Sequence, residues 1–513
     1  MGGLLLRKVL RFLINRLTII SIFVLSQVFL MIYLLFAFNE SYSFVAFTTV
    51  FFEFAIIIDL VNRDMLADLK LPWLAVVMLV PIAGVIIYLL FSKNNARRKD
   101  VKKYNNIFEK IQSNTNELFV NSEVLHEYKG QSNYIKNTCN SGLYKNSEVK
   151  YFKCGEQFFE SYLNDLKNAK KYIFIEYFIF DKGIMLDKIV DILKNKVKEN
   201  VEVRIMYDDL GCINKIIPSY FKKLNSYGIK CIRFNPFIPV ISSIHNNRDH
   251  RKITIIDGII SYTGGINIAD EYINVKNKFG YWKDSAVRIQ GDASLQFVVY
   301  FLQLYSLQTN TYEDYSKYLN IIEKQKNNEI NGYVQPFCDG PNPIYSNLIS
   351  ENIILNMINQ AKKTINITTP YLIIDSVIKN ALTSAVKRGV EINIYLPHVP
   401  DKKIIFLLSK CNYLELLKNG VNIYEYKLGF LHAKNYLVDD LIAVVGTINL
   451  DYRSLIHNYE CGLWMYNTSS IEEIKEDFKE INKDSIKINK NNLKIKWYEK
   501  LIYELISIFS PLL

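Results

Sequence analysis

Paired cysteines are missing from this sequence. The seven present, Cys139, Cys154, Cys212, Cys231, Cys338, Cys411 and Cys461, never stand closer than 15 residues apart. There is thus no C-x-x-C pair and no zinc-type spacing. Their odd number argues against a disulfide framework, and buried free thiols are expected. No cluster of carboxylates or cysteines suggests a metal, and no metal or other cofactor is expected. Histidine is scarce, with six in 513 residues, so a pattern that uses two carries weight. Charge is moderate: 22% of residues are charged and 50% hydrophobic, with a mean hydropathy of +0.04. This balance excludes a disordered chain and a small disulfide scaffold. Lys+Arg outnumber Asp+Glu by 62 to 51, a net charge of +11 that suits an anionic partner, either nucleic acid or an anionic membrane.

The hydrophobic residues crowd the N-terminus. Leu17 to Phe38 is a run of 22 residues without a charge, long enough to cross a hydrocarbon core of about 30 Å. Trp73 to Phe91 is a second uncharged run, interrupted by Pro81 and Gly84. Between them Phe44 to Ile58 carries Glu53 and is expected as a third span, a re-entrant hairpin or an interfacial helix. A signal peptide is disfavoured for the first run, which lacks a small-residue cleavage site and is followed by more apolar sequence. Arg7, Lys8, Arg11 and Arg16 precede the first run, and Lys93, Arg97, Arg98, Lys99, Lys102 and Lys103 follow the last. Both flanks read as cytoplasmic, which an even number of crossings satisfies. The expectation is a multi-pass cell-membrane protein with two full spans, or three with one flank overruled, and a cytoplasmic C-terminal part. Residues 1–103 (apolar segments 17–38, 44–58 and 73–91) are expected to form the membrane anchor.

The rest has the pattern of an α/β protein, and the pattern repeats. A helix-like Glu156–Lys171 leads into the strand-like Tyr172-Ile-Phe-Ile-Glu-Tyr, and Asn352–Lys363 leads into Thr364-Ile-Asn-Ile-Thr. Val201-Glu-Val-Arg-Ile is matched by Val390-Glu-Ile-Asn-Ile. Each half then reaches H-x-K-x4-D-x6-G-x2-N: His250, Lys252, Asp257, Gly264 and Asn267, then His432, Lys434, Asp439, Gly446 and Asn449. The expected halves are 104–325 and 326–513.

Residues two apart on a strand face the same side, so each His shares a cleft with its Lys. An imidazole can attack phosphorus or carry a proton near neutral pH. A neighbouring ammonium neutralises phosphate oxygens. Two facing copies give a nucleophile, a general acid and two lysines around one phosphate, with the two imidazoles meeting across the seam. Asp284 and Glu460 lie downstream of the two motifs. Each either holds the second nitrogen of its own half's histidine or is a surface carboxylate.

With its doubled motif the chain resembles the phospholipase D superfamily. Gly264-Gly-Ile-Asn-Ile-Ala-Asp-Glu-Tyr, Tyr281-Trp-Lys-Asp-Ser-Ala-Val-Arg-Ile-Gln-Gly, Asn449-Leu-Asp-Tyr-Arg-Ser, Asn62-Arg-Asp and Ser510-Pro-Leu-Leu resemble bacterial cardiolipin synthases. The resemblance implies N-terminal transmembrane helices followed by two pseudo-twofold-related phospholipase D-like α/β sandwich halves. It also implies joining of two phosphatidylglycerols into cardiolipin, with release of glycerol, through a phosphohistidine-type intermediate. By position, His250 is the implied nucleophile and His432 the acid and later the base. Lys252, Lys434, Asn267 and Asn449 are the implied phosphate-binding groups, and Asp284 and Glu460 orient the histidines. Asp257 and Asp439 count among the catalytic motif residues, with the expected task of holding the motif loops. Gly265 stands where superfamily members often have Ser, and a backbone donor there is expected to survive.

The implied partners are phosphatidylglycerol, other anionic phospholipids and the membrane. A lipid hydrolase, a membrane-anchored nuclease and a non-catalytic lipid scaffold are the alternatives. Against the nuclease, no long aromatic-and-basic channel signature is present, and no nucleic-acid partner is expected. His126, His398 and His457 read as surface or packing residues, and His245 stays open because it precedes His250 so closely. Asn482–Lys496 reads as a solvated face, and Trp497–Phe509 as an amphipathic helix packed on the second half in preference to the bilayer.

Overall fold

A computed structural model describes residues 29, 43–63, 65–92, 101–102, 105–106, 119–236, 247–311, 315–319, 331–342, 344–345, 348–489, 493, 499, 503 and 506–512. The run 17–38 (Phe29 apart), His245 and the expected junctions near 103 and 325 lie outside these residues. The chain divides into two compact units, Met1–Asn95 with Phe237–His245 and Leu505–Leu513, and Ala96–Pro236 with Asn246–Glu504.

In the first unit, segment 44–58 falls within the helix Ser43–Asn62. The run 73–91 is divided between the helices Ala67–Leu79 and Pro81–Phe91. Pro81 has no N–H to continue the ladder, and Val80 leaves helical geometry at φ −134°, ψ 75°. Among the described residues no helix is long and apolar enough to cross a membrane. Leu60, Trp73, Val77 and Tyr88 form a small core, and Arg63 pairs with Asp59 beneath the Tyr88 ring. The turn Ser510–Leu512 contacts the helix Ala67–Leu79. The last residues, Leu505–Leu513, thus group with these N-terminal helices, while most of the expected helix Trp497–Phe509 lies outside the described residues.

The second unit holds both repeats. Its strands are β1 Ser147–Phe152, β2 Tyr172–Tyr177, β3 Glu202–Asp208, β4 Lys230–Phe234, β5 Lys252–Ile256, β6 Ile260–Gly264, β7 Tyr281–Lys283 and β8 Ala286–Gly291. The second half has β9 Tyr333–Asp339, β10 Thr364–Thr368, β11 Leu372–Ile373, β12 Glu391–Pro397, β13 Asn422–Tyr426, β14 Gly429–Leu431, β15 Asn435–Val438, β16 Ile442–Gly446, β17 Leu450–Asp451, β18 Glu460–Tyr466 and β19 Ser485–Ile488. One sheet has the order β1-β8-β6-β5-β2-β3-β4 and the other β9-β18-β16-β15-β10-β12-β13-β19. Seven positions correspond one to one. In each, three parallel strands (β2, β3, β4 and β10, β12, β13) meet an antiparallel remainder. β19 is the addition, drawn from the Lys/Asn-rich stretch expected to be a solvated face, and pairs with the edge of β13.

These strands form because both faces of each sheet are buried. Tyr172 and Phe174 of β2 enter one core while Ile173 and Ile175 enter another, the period-two division of a strand. The helix Ser294–Thr309 is buried from Ser294 to Ser306, in keeping with a sequence that carries no charge and is mostly apolar. All seven cysteines are free thiols, six of them buried.

The motif glycines have a steric reason. A Cβ on Gly446 would lie 2.5 Å from the Cys461 carbonyl oxygen and 2.7 Å from Gly462 Cα, both backbone atoms of the neighbouring strand. On Gly264, at φ +151°, it would lie 2.5 Å from Ala286 Cα. Gly446→Ala is therefore expected to lower unfolding free energy by about 1–3 kcal/mol, an overpacking cost, measured as a shifted midpoint in denaturant.

Candidate active site

His250 stands two residues before the first of β5, and His432 stands between β14 and β15. Each is fixed from the opposite half. The His250 N–H donates to the Tyr459 carbonyl at 3.0 Å, and the His432 N–H to the Lys283 carbonyl at 2.7 Å. The residue after each of these carbonyls is a carboxylate. His250 Nδ1 lies 2.9 Å from both oxygens of Glu460, and His432 Nδ1 lies 2.7 Å from Asp284 Oδ2. The expected pairing of each carboxylate with its own half's histidine is thus corrected: the partners are exchanged. The cause is β-pairing across the seam, where β14 runs parallel to β7 with Leu431 opposite Lys283, and Asp249 bridges Tyr459.

Glu460 is buried and also accepts from Ser454 Oγ at 2.6 Å and from Thr447 Oγ1. Thr447 directly follows the motif glycine and escaped sequence reasoning, although that position was the signal. Its counterpart is Gly265, where a Cβ would lie 2.0 Å from Asp284 Oδ1. Glycine there makes room for Asp284, while the Gly265 N–H bonds the Ser285 carbonyl at 2.9 Å. The donor expected from that N–H is therefore already engaged.

The two lysines are almost fully buried beside the imidazoles. Lys252 Nζ donates to its own His250 carbonyl at 2.5 Å, and Lys434 Nζ to the His432 carbonyl. Lys434 Nζ also lies 2.9 Å from His432 Nδ1, a contact without a counterpart at His250. Burial, then the two ammonium groups, hold both imidazoles well below their ordinary pKa. Burial also lowers Lys252 to about 8 and Lys434 to about 7. It raises Asp284 and Glu460 to about 7. The walls differ: Tyr272, Trp282 and Phe430 surround His432 at ring distances of 5.5–5.7 Å, whereas Phe178 stands 5.1 Å from His250.

The remaining motif residues separate into two groups. Asp257 takes the N–H groups of Lys170, Lys171 and Tyr172 at 2.7–2.9 Å, and Asp439 those of Lys362, Lys363 and Thr364 at 2.7–2.9 Å. Each lies one strand length from its lysine, about 16 Å for five residues, too far for contact with a phosphate held by the histidines. They stand outside the catalytic group, in the loop-holding task. Asn267 accepts from the Ile179 N–H at 3.1 Å and donates to Tyr272 Oη at 2.7 Å, which leaves one amide N–H. Asn449 Oδ1 is buried without a hydrogen-bond partner. His398 pairs with Glu425. Among the described residues no group of three or more His, Cys, Asp or Glu is placed to hold a metal ion.

The sequence model described as cardiolipin synthase, PLD-like domain, matches residues 162–296 and again 354–482, once in each half. The chain belongs to the cardiolipin synthase family. The family's relatives include a cardiolipin synthase of Alkalihalophilus pseudofirmus, 34% identical over 90% of this chain and 92% of that protein. A cardiolipin synthase of Halalkalibacterium halodurans is 32% identical over 89% and 91%. An uncharacterized protein of Streptococcus mutans is 40% identical over 82% and 92%. A phospholipase D-nuclease N-terminal model matches residues 54–93. In fold, the chain superposes on the crystal structure of phosphatidylserine synthase from Haemophilus influenzae with a TM-score of 0.56, at 15% identity over 75% of this chain and all of that one.

The exchanged carboxylates generate a mutational test. In double-mutant cycles on unfolding free energy, His250→Ala with Glu460→Ala is expected to be strongly non-additive, and so is His432→Ala with Asp284→Ala. Non-additivity confined to the same-half pairs would refute the exchange. The titrations generate another. Carboxyl groups raised to about 7 lose their stabilising contribution as pH rises through 7, and lysines lowered to about 7–8 lose theirs as pH falls through that range. Protonation of both kinds of group favours an anion. The soluble phosphodiester glycerophosphoglycerol is therefore expected to raise the melting temperature more at about pH 6 than at about pH 9.

Proposed function

We propose that this chain is a membrane-bound phosphatidyltransferase that makes cardiolipin from two molecules of phosphatidylglycerol. The observation that carries the reading is the pair of imidazoles, each held at Nδ1 by a carboxylate of the other half, with two buried lysines beside them. Nδ1–H donation to Glu460 leaves a lone pair on His250 Nε2, as a nucleophile requires. At His432 the Lys434 ammonium lies against Nδ1 and favours the tautomer with the proton on Nε2, while Asp284, raised to about 7, is able to hold a proton itself. This difference supports His250 as nucleophile and His432 as acid.

In the first step His250 Nε2 attacks the phosphorus of one phosphatidylglycerol. The bond from phosphorus to the glycerol headgroup breaks, and His432 Nε2 gives its proton to the departing oxygen while Nδ1 takes the proton held by Asp284, so the imidazole stays neutral. Glycerol leaves, and a hydroxyl of a second phosphatidylglycerol takes its place, giving its proton to His432 as it attacks phosphorus. The P–N bond then breaks and cardiolipin departs. Lys252 and Lys434 stabilise the charge on the phosphate oxygens. The unpartnered Asn449 Oδ1 is an acceptor suited to a glycerol hydroxyl, and Asn267 retains one N–H for the phosphate. Residues 1–103 are read as the anchor of a multi-pass protein with its catalytic part in the cytoplasm, on the strength of the two basic flanks.

Incubation of the purified chain with phosphatidylglycerol is expected to yield cardiolipin and free glycerol, by mass analysis of lipids, and to continue in excess chelator. Phosphatidic acid alone would make the chain a hydrolase. Activity restored only by an added divalent ion would refute the metal-free chemistry. His250→Asn is expected to abolish both turnover and covalent labelling by labelled phosphatidylglycerol. His432→Asn is expected to be nearly inactive yet to trap acid-labile lipid on the His250 peptide. Label on the His432 peptide alone would reverse the two roles.

A further inference from the structure

Both sheets turn the same kind of end toward the histidines. The C-terminal ends of β2 and β3 meet the first motif, where Tyr177 pairs with Lys252 and Asp208 accepts from the Asp249 N–H. The C-terminal end of β10 meets the second, where Thr368 pairs with Asn435. Loops leaving these strand ends, and the ends of the parallel neighbours β12 and β13, therefore surround the site.

Nine large apolar side chains of the catalytic unit are exposed among the described residues. Ile486 lies on the edge strand β19, and Val124 lies on the turn Ser122–Tyr128 at the opposite end, where Glu127 pairs with Lys362 ahead of β10. The other seven all stand at the histidine end. Ile184 follows β2, Ile213 and Ile217 follow β3, and Val275 follows β6. In the second half Val377 follows β10 and β11, Ile404 follows β12 and Leu428 follows β13. They are 47–57% exposed, and the first-half positions after β2 and β3 recur after β10 and β12. Single exposed apolar residues are ordinary, but their gathering at one end marks an interaction face.

Charge identifies what covers that face. Lys182, Lys276, Lys402, Lys403 and Lys427 are exposed on the same loops. Asp187, in the first turn of the helix that Ile184 opens, is exposed, but three other carboxylates there are engaged: Asp181 pairs with Lys215, Asp209 with Arg233, and Asp270 takes the N–H groups of Ile184 and Met185. The helix Lys403–Lys418 opens Lys-Ile-Ile-Phe-Leu with none of these side chains buried. Apolar tips among outward ammonium groups fit a bilayer of anionic lipids, whose headgroup phosphates meet the lysines while the tips reach the acyl boundary. A second copy of the chain would bring lysines against lysines.

We infer that this end of the two sheets docks on the surface of an anionic phospholipid bilayer, so that a lipid phosphate passes from the membrane directly to the two histidines. The inference rests on the phospholipid reading above, and its test has a readout independent of catalysis. Ile404→Cys and Val124→Cys chains, full length, are labelled with an environment-sensitive dye and reconstituted in phosphatidylglycerol vesicles, with the labelled unsubstituted chain as background for Cys154. The dye at 404 is expected to brighten about twofold and to be quenched by lipid carrying a nitroxide high on its acyl chain, while the dye at 124 is not. Equal quenching at both positions, or none at 404, would overturn the docking face. So would brightening at 404 in detergent that grows with protein concentration, which assigns the face to a second copy. The triple variant Ile213→Ser, Ile217→Ser, Ile404→Ser is expected to lose about tenfold activity on vesicle phosphatidylglycerol and little on a soluble short-chain phosphatidylglycerol. Equal losses on both substrates would count against it. A wild-type chain that makes cardiolipin from neither substrate would sink the synthase reading and leave the quenching result standing.

Discussion

Everything at the catalytic centre depends on one buried contact made twice: an imidazole Nδ1 against a carboxylate from the other half. Neither partner is stable in its place alone. A carboxylate with no solvent access is costly unless it is hydrogen-bonded, and Glu460 meets that need with His250, Ser454 and Thr447. Asp284 meets it with His432 and the Ser285 N–H. The halves are therefore not two sites side by side. Each completes the other's histidine, and a half by itself would hold an imidazole without an orienter and a carboxylate short of one partner.

That exchange constrains the surrounding backbone. Tyr459 and Lys283 must offer their carbonyls to the opposite histidines, so β14 pairs with β7 and Asp249 bridges Tyr459. Side chains near the seam must be small where the carboxylates enter, and Gly265 is bare for that reason. The remaining motif groups work at a distance. Asp257 and Asp439, just past the far ends of β5 and β15, gather three backbone N–H groups each at the starts of β2 and β10, which ties each motif strand to its neighbour.

The symmetry of the scaffold contrasts with the chemistry on it. Aromatic rings enclose His432, and Lys434 touches its Nδ1, whereas His250 faces carboxylate oxygens alone at that atom. A reaction with one attacking and one protonating imidazole needs such a difference. In a duplicated fold it can come only from residues that have diverged between the repeats. The apolar rim is shared by both halves, as a surface presented to a broad planar partner would be.

Much of this was legible in the sequence because it is local. The spacing of H-x-K within a strand, the repeat order of strands and helices, the free thiols and the glycine after each motif strand all follow from short-range geometry. Sequence distance misled where the answer was long-range. Asp284 and Glu460 stand nearest in sequence to their own half's histidines, yet hydrogen bonds between strands carry each to the opposite one. Pro81 was visible as an interruption, but that it divides the apolar run into two helices follows from backbone angles that packing sets. The recruitment of Ser485–Ile488 to the edge of β13, and of the last residues to the N-terminal helices, has no local signal, because each depends on which unpaired edge or apolar surface lies nearby. The sequence by itself determined the chemical groups and the doubled scaffold. Only the tertiary structure decided which carboxylate serves which imidazole, because that choice is made by pairing between strands far apart in the chain.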